Sequence, residues 1–416
     1  MAKQPPLSGI RVCDFTWVWA GPYCTLQLAH LGAEVIRIET KTRPCVTRQL
    51  PPWPNGEFKG LDRSGYFNQY NQGKKSLSLN FKHPEAKEIA RKLISKSDIL
   101  INNFAAGIIE KMGFGYEEAK KLKSDIIMIT LSGYGDTGPW KDFVAYGPAQ
   151  VPLSGLSALT GYRGGPPMHA GFSYADPNAG VHGAFAVLTA LYHRDTTGEG
   201  QYIDMSQWEC AMDVLPEGIL QYTMNGQEPE RIGNRDPAMA PHGIFRCLDR
   251  PEKVLGFTVD QFVAIAAADD REWKQMAAAI GQPELGDDPR FATLAARKAN
   301  EDELESIVEA WTVGRSAAEA AQTLQDAGVA AFVVADNKYL SEEDEHLAQR
   351  GYFVNLPHPQ VGVKQHCGIP WKMGGTPCEV RSAAPTLGQH TDEVLSDVLG
   401  FSESEIASLR DGGALE

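Results

Sequence analysis

The chain has 416 residues, 43% of them hydrophobic and 22% charged, which excludes a disordered chain and a minimal disulfide scaffold and suggests two or three domains. Lys and Arg total 39 against 53 Asp and Glu, and the formal charge of −14 argues against nucleic-acid and anionic-membrane partners, though not against one basic pocket for a small phosphorylated ligand. No apolar run approaches the ~18 residues that span a bilayer, and Met1 to Pro6 lacks an apolar signal core, so a soluble cytoplasmic protein is expected. The seven cysteines are scattered without CxxC spacing, so neither a zinc site nor a redox pair is indicated, and reduced thiols, several of them buried, are expected.

Strand and helix signals alternate over the first ~135 residues, with a spacing typical of α/β units. Gly9 to Thr16 reads as a strand, Pro22 suits the first turn of a helix, and Gly32 suits its exit. Glu34 to Ile38 is a second strand. Ala86, Ile89, Ala90, Leu93 and Ile94 mark one face of a helix over Pro84 to Lys96. Asp98 to Ile101 is a third strand, and the apolar run Ile126 to Leu131 reads as a strand buried on both faces. This order predicts a parallel sheet with helices on both sides. The turn after the first strand, Thr16 to Pro22, holds no GxGxxG, and no Walker-type loop occurs anywhere. Residues 133–176 are rich in Gly and Pro, and so long an irregular stretch is usually functional. A helix follows from about Asn178 to Arg194, carrying Ala179, Gly180, Gly183 and Ala184, small residues that let a neighbouring backbone come close. Residues ~240–335 mix a strand, Phe262 to Ala266, with helices at Glu301 to Trp311 and Ala317 to Ala327, and read as a smaller α+β domain. Ser341 to Glu345 reads as a solvated acidic helix start, and the tail ends in a helical pattern at Thr391 to Leu399.

Asp176 precedes Pro177 and a helix, the order of an N-cap followed by N1. That reading suffices locally, but a rigidly held, ionised and partly desolvated carboxylate is also what a covalent nucleophile requires. His169 and His182 stand seven and six residues from Asp176 and form no metal set; HExxH and GxSxG are absent. Arg37, Lys41, Arg43 and Arg48 after the second strand, and Lys74 and Lys75 in the turn Asn71 to Ser76, sit in loops where open α/β sheets bind ligands, consistent with a phosphate-rich one.

Taken in order, these segments resemble class III CoA-transferases, the family of carnitine, bile-acid and formyl-CoA transferases and of α-methylacyl-CoA racemases. The matching stretches are Leu7 to Thr16 with Ala20-Gly21-Pro22, Leu31 to Glu39, Asn71 to Asn80, Asn103-Phe104 with Lys111 to Phe114, and Gly133 to Pro139. They continue through Asp176, Thr197 to Gln201, Asn234-Arg235, Ala240 to Gly243 and Pro385 to Thr391. The resemblance implies an α/β protomer in two domains: a large Rossmann-like domain from both chain ends (1–222 and 336–416) and a linker and small α+β domain (223–335). It further implies two interlocked protomers, as a homodimer or as a heteromer in which this chain, keeping Asp176, is the catalytic member. No permanent cofactor and no metal are implied; coenzyme A thioesters are the substrates.

By the same resemblance, Asp176 attacks a donor thioester, giving an acyl-aspartyl anhydride and then an aspartyl-CoA thioester that passes CoA to an acceptor acid. Contacts to CoA fall on Val18, Ala20, Lys75, Asn103, Phe104 and Lys111. Where the formyl-CoA:oxalate branch carries His and Gln, this chain has Trp17 and Trp19, and a glycine-rich loop of that branch has no counterpart. Two indoles at the acyl site favour a larger or aromatic acid, and the succinyl-CoA:benzylsuccinate branch is the subfamily this suggests. Ordinary core packing is the alternative use of both rings. Racemases have His where this chain has Tyr146, and Tyr, with an ordinary pKa near ~10, is a poor base at neutral pH. Racemisation is therefore the alternative activity, and transfer the expected one.

Overall fold

The computed structural model describes residues 4–252 and 257–416. The chain divides into two compact units. The first comprises Met1–Ala158, His169–Glu228 and His346–Glu416; the second comprises Leu159–Met168 and Pro229–Glu345.

The first unit is built on six parallel strands: β1 (Arg11–Asp14), β2 (Glu34–Glu39), β3 (Lys75–Ser78), β4 (Ile99–Asn102), β5 (Ile127–Ser132) and β6 (Tyr202–Ser206), in the order 3-2-1-4-5-6. This is the doubly wound Rossmann-like order. Its helices are α1 (Ala20–His30), α2 (Gly65–Tyr70), α3 (Pro84–Ser95), α4 (Ile108–Lys111), α5 (Tyr116–Leu122), α6 (Gly147–Leu153), α7 (Leu156–Leu159), α8 (Ala175–Thr197), α9 (Gln207–Asp213) and α10 (Pro216–Asn225). Strand side chains alternate between two apolar layers, as the period of two demands. Val12, Val35, Ile99, Ile101, Ile127 and Ile129 face α1 and α8. Cys13, Ile36, Ile38, Leu77, Leu100 and Met128 face α3, α5 and the C-terminal segment, which contributes Val394, Leu395, Leu399 and Ile406. Burial on both faces is why these strands read as unbroken apolar runs.

The second unit carries an antiparallel sheet of β7 (His242–Arg246), β10 (Phe262–Ala266) and β11 (Ala330–Val333), with a two-stranded ribbon of β8 (Arg250–Glu252) and β9 (Phe257–Val259). Helices Asp270–Ala279, Glu301–Thr312 and Ala317–Asp326 pack around buried Trp273, Met276, Leu304, Val308 and Leu324. The mixed mode expected for this region is the one observed.

Several expectations need correction. The irregular stretch 133–176 contains two short helices, α6 and α7, whose start at Gly147-Pro148 was hidden among the other glycines and prolines. The tail helix is α-helical only at Thr391–Glu393 and continues as a wider π turn over Val394–Val398. The acidic run is itself a π turn, Tyr339–Glu343, before the helix Glu345–Arg350. Arg37 and Arg48 are not loop cations awaiting a phosphate. Both are fully buried: Arg48 forks onto the Glu39 carboxylate at 2.9 and 2.6 Å, and Arg37 donates to Asn71 Oδ1 at 2.8 Å. All seven cysteines are free thiols, and Cys13, Cys24, Cys45 and Cys247 are buried.

Candidate active site

The order of the sheet reverses between β1 and β4, and ligands of open α/β sheets bind beyond the strand ends at such a point. The loop after β1 is held there from three sides. Asp14, buried at the strand end, accepts the Thr16 N–H at 2.7 Å and the Thr25 hydroxyl at 2.8 Å. Asn103, just after β4, accepts the Trp17 N–H at 2.7 Å and donates to the Trp17 carbonyl at 2.8 Å. The Val18 N–H points to Cys45 Sγ at 3.3 Å. Val18 has φ +62°, a left-handed conformation that a β-branched residue adopts only under strain. Such strain, over-determined by neighbours, is a common mark of a functional loop.

The loop delivers the first turn of α1 to Asp176. Ala20 donates its backbone N–H to the Asp176 carboxylate. Two glycines on α8 allow the close packing here: a Cβ added at Gly180 would meet the Ala20 carbonyl at 2.8 Å, and one at Gly183 would meet the Leu131 side chain of β5 at 2.7 Å and Cys24 Sγ of α1 at 3.2 Å. The small-residue stripe therefore does what its composition suggests: it lets the backbone of α1 close onto α8.

Asp176 is not the N-cap. The helix begins at Ala175, Tyr174 occupies the cap position, and Asp176 lies within the first turn, its N–H bonded to Ser173 O at 3.1 Å. Nor is its carboxylate a stabilised anion. At 8% exposure, burial pushes it up to about 7, and the Ala20 N–H opposes this only in part. Gly147, the first residue of α6, makes room for it: a Cβ there would stand 1.9 Å from Asp176 Oδ2. Asp176 is thus a buried, desolvated carboxylate fixed by a single backbone donor, with close backbone on its flank.

Trp19 is the hub of an aromatic cluster beside this group. Its ring lies 5.5 Å from Tyr66, 5.1 Å from Tyr70 and 6.5 Å from Phe172. Burial raises the Tyr66 and Tyr70 phenols, and the charge of Asp176 raises both further. Trp17 instead packs edge-on against Phe104 at 6.4 Å, with the Arg43 guanidinium 5.2 Å over its ring. Tyr146 caps α6 directly before Gly147 and is mostly exposed.

Of the residues expected to hold CoA, the structure gathers Val18, Ala20, Asn103 and Phe104 at the β1–β4 reversal, although the Ala20 N–H is engaged by Asp176. Lys111 is exposed at the end of the short helix that follows. Lys75 is turned elsewhere. Its ammonium pairs with Glu34 and Glu393, each at 2.7 Å, and Glu34 pairs in turn with Arg11, the first residues of β2 and β1 respectively. Its neighbour Lys74 points the other way, fully buried, to the Pro22 carbonyl at 2.9 Å and Asn71 Oδ1 at 3.0 Å. The His residues form no site: His169 is exposed, His182 bonds the Asn178 carbonyl, and no metal-holding cluster occurs among the described residues.

The sequence reading missed Tyr66, Tyr70 and Phe172. The only available signal was the i, i+4 spacing of the tyrosines, in a segment framed by Pro51, Pro52 and Pro54 that gives no clear helical period. It missed Gly147 altogether, since its contact with residue 176 exists only in three dimensions.

The family model described as CoA-transferase family III matches residues 7–391. The chain belongs to CoA-transferase family III. Among similar family members, a succinyl-CoA–D-citramalate CoA-transferase of Chloroflexus aurantiacus is 32% identical over 97% of both chains. A formyl-CoA:oxalate CoA-transferase of Afipia carboxidovorans is 32% identical over 100% of this chain and 98% of its own. The crystal structure of a CAIB/BAIF family protein from Brucella suis superposes with a TM-score of 0.85 at 28% identity, covering 95% of this chain and 100% of that one. The protein is therefore a family III CoA-transferase, and CoA thioesters are its substrates.

Proposed function

We propose that the protein moves CoA from an acyl-CoA donor, such as succinyl-CoA, to a larger or aromatic carboxylic acid, benzylsuccinate being the type, with Asp176 as covalent carrier. The observation that carries this reading is the buried Asp176 carboxylate at the β1–β4 reversal, held by the Ala20 N–H and flanked by the Gly147 backbone. A carboxylate raised to about 7 is more basic than an ordinary Asp and is still substantially ionised at neutral pH.

In the first half-reaction, Asp176 attacks the donor thioester carbonyl and expels CoA thiolate, leaving an acyl-aspartyl anhydride. The thiolate attacks the aspartyl carbonyl and expels the donor acid, which keeps one oxygen from Asp176. In the second half, the acceptor carboxylate attacks the aspartyl-CoA thioester and CoA leaves. The thiolate then takes the acceptor's acyl group, returning Asp176 with one oxygen from the acceptor. The activation of the thioester is conserved at every step, so water must be kept out; the burial of Asp176 serves that end. Val18, Asn103, Phe104 and Lys111 are the CoA contacts of this reading, and Trp17, Trp19 and Tyr146 those of the acyl and acceptor groups. A partner copy belongs to this reading, supported by exposed apolar surface. Val181, Phe185 and Tyr192 form an exposed apolar stripe on α8, and α10 buries none of its residues.

Oxygen tracing tests the reading. With acceptor acid labelled by 18O in its carboxylate, repeated turnover is expected to deliver label into the released donor acid by way of the enzyme. Racemisation at an α-carbon moves no carboxylate oxygen, and released acid without label contradicts the proposal.

A further inference from the structure

The middle of α6 is tied to the loop that follows β5. Gln150 is fully buried, and its side-chain Nε2 donates to the Gly133 carbonyl at 3.0 Å. The same carbonyl accepts the Trp208 N–H, from the first turn of α9, at 3.1 Å. Gly133 follows β5 directly and lies against the chain leading into α6: a Cβ added to it would stand 2.2 Å from the Cβ of Ala145. The helix also shares a small apolar core with α8 and α9, formed by Val151, Ala175 and Ala211, and Asn178 of α8 donates to the Cys210 carbonyl of α9 at 2.6 Å. Gly147 stands three residues before Gln150, on the same face of α6. It is the residue that meets Asp176: a Cβ there would stand 1.9 Å from Asp176 Oδ2 and 2.9 Å from the Ser173 Cβ. The Gln150 amide keeps its place although its Oε1 is buried and has no hydrogen-bond partner among the described residues, a destabilising arrangement. A methionine would fill the same space with no polar atom to satisfy. What the amide adds over an apolar side chain is the direction of one hydrogen bond, and with it the placement of α6.

We propose that Gln150 is a positioning residue for the transfer: by tying α6 to the Gly133 carbonyl it holds the Gly147 backbone against Asp176, fixing the carboxylate for attack and keeping water from the aspartyl-CoA thioester. The proposal rests on the reading of Asp176 as the covalent carrier. Where the Gly147 backbone stands off, water adds to the thioester carbonyl, CoA leaves as the free thiol, and the Asp176 carboxylate returns without any acid having received CoA. Gln150 touches none of the reacting groups. Its effect falls on the geometry and dryness of the site and leaves the CoA contacts after β1 and β4 alone.

Exchange of radiolabelled succinate into succinyl-CoA tests it without an identified acceptor, and thiol release in the absence of added acid measures hydrolysis. In Gln150→Met, kcat for exchange is expected to fall at least about tenfold, as a small displacement at a reacting atom does, with KM for succinyl-CoA within about twofold of the parent's. The ratio of thiol release to exchange should rise at least about fivefold as water gains entry. The melting temperature should be no lower than the parent's, because the orphaned oxygen is gone. Gln150→Glu should recover part of the exchange rate while its carboxyl is protonated and can donate to the Gly133 carbonyl. That recovery, relative to the parent at each pH, should fade as pH rises and the carboxyl ionises. An unchanged kcat or an unchanged hydrolysis ratio in Gln150→Met, or a loss of rate that follows a lowered melting temperature, would each overturn the proposal. Exchange that survives Asp176→Asn would instead refute the carrier reading, and the proposal with it.

Discussion

At Asp176 the decisive quantity is desolvation. The carboxylate has one backbone donor and is raised to about 7. Holding its charged form there costs about 4 kcal/mol relative to water. Two expectations follow with opposite signs. Asp176→Asn abolishes transfer, by about 1000-fold or more in kcat/KM, because nothing else at the site can carry the acyl group. The same variant is more heat-stable than the parent. The folded carboxyl keeps its proton up to about pH 7, whereas the unfolded one loses it near 3.8, so the parent loses stability as pH rises through that window and no further above it. Melting curves of both proteins at pH 4, 5.5, 7 and 8 check this: the gap in Tm should widen to pH 7 and then level off. Initial rates should rise with pH across the same upper limb. At this scale the place of Asp176 at a helix start was legible from Pro177 and the small residues that follow, while its role as carrier came only from the resemblance to the family. Its protonation was not, because an ionised N-cap and a buried first-turn carboxyl share the same local sequence.

Among the elements, the site is an agreement between helix starts. The α1 start reaches Asp176 because α8 carries Gly180, and the α6 start leaves room for it because it opens on Gly147. Gly147→Ala should therefore leave the fold and the CoA-binding loop intact while displacing the carboxylate, lowering kcat/KM by about 100-fold, as a shift of about 1 Å at a reacting atom does. Unchanged rates in this variant would show that the carboxylate has slack. The strands β1, β2, β4, β5 and β10 and the helices α3 and α8 were readable to within a few residues because buried strands and one-sided helices leave strong periodic signals, whereas β3, read as a turn, and β6 were not seen. The fates of Arg37, Arg48, Lys74 and Lys75 were not readable. Lys74, just before β3, turns into the core, and Lys75, the first residue of the strand, turns toward Glu34. Glu39 beside both arginines, with Asp62 for Arg48 and Asn71 for Arg37, explains why the two could be buried.

On the scale of the whole molecule, the parallel sheet and the mixed smaller unit follow from the order of elements along the chain. The return of the C-terminal segment to the first unit's core rests on pairings more than 300 residues apart, such as the Ser78 N–H to Thr391 Oγ1 at 3.1 Å, which no local pattern announces. Val181, Phe185 and Tyr192 stand exposed along α8, and α10 buries none of its residues; exposed apolar faces of this kind mark interaction surfaces. We expect the protein to sediment as a dimer and Phe185→Glu to yield a smaller species. A monomer of unaltered sequence at micromolar concentration would contradict that assembly.

The central claim is that Asp176 carries the transferred groups. Its most direct test is to mix the purified protein with succinyl-CoA, and in parallel with formyl-CoA, trap with hydroxylamine or borohydride, and sequence the peptide spanning residues 170–194 by mass spectrometry. A hydroxamate or reduced side chain at Asp176, absent from Asp176→Asn and dependent on the acyl-CoA, is the result expected. An unmodified Asp176 in a sample that is nevertheless turning over acyl-CoA would contradict the account.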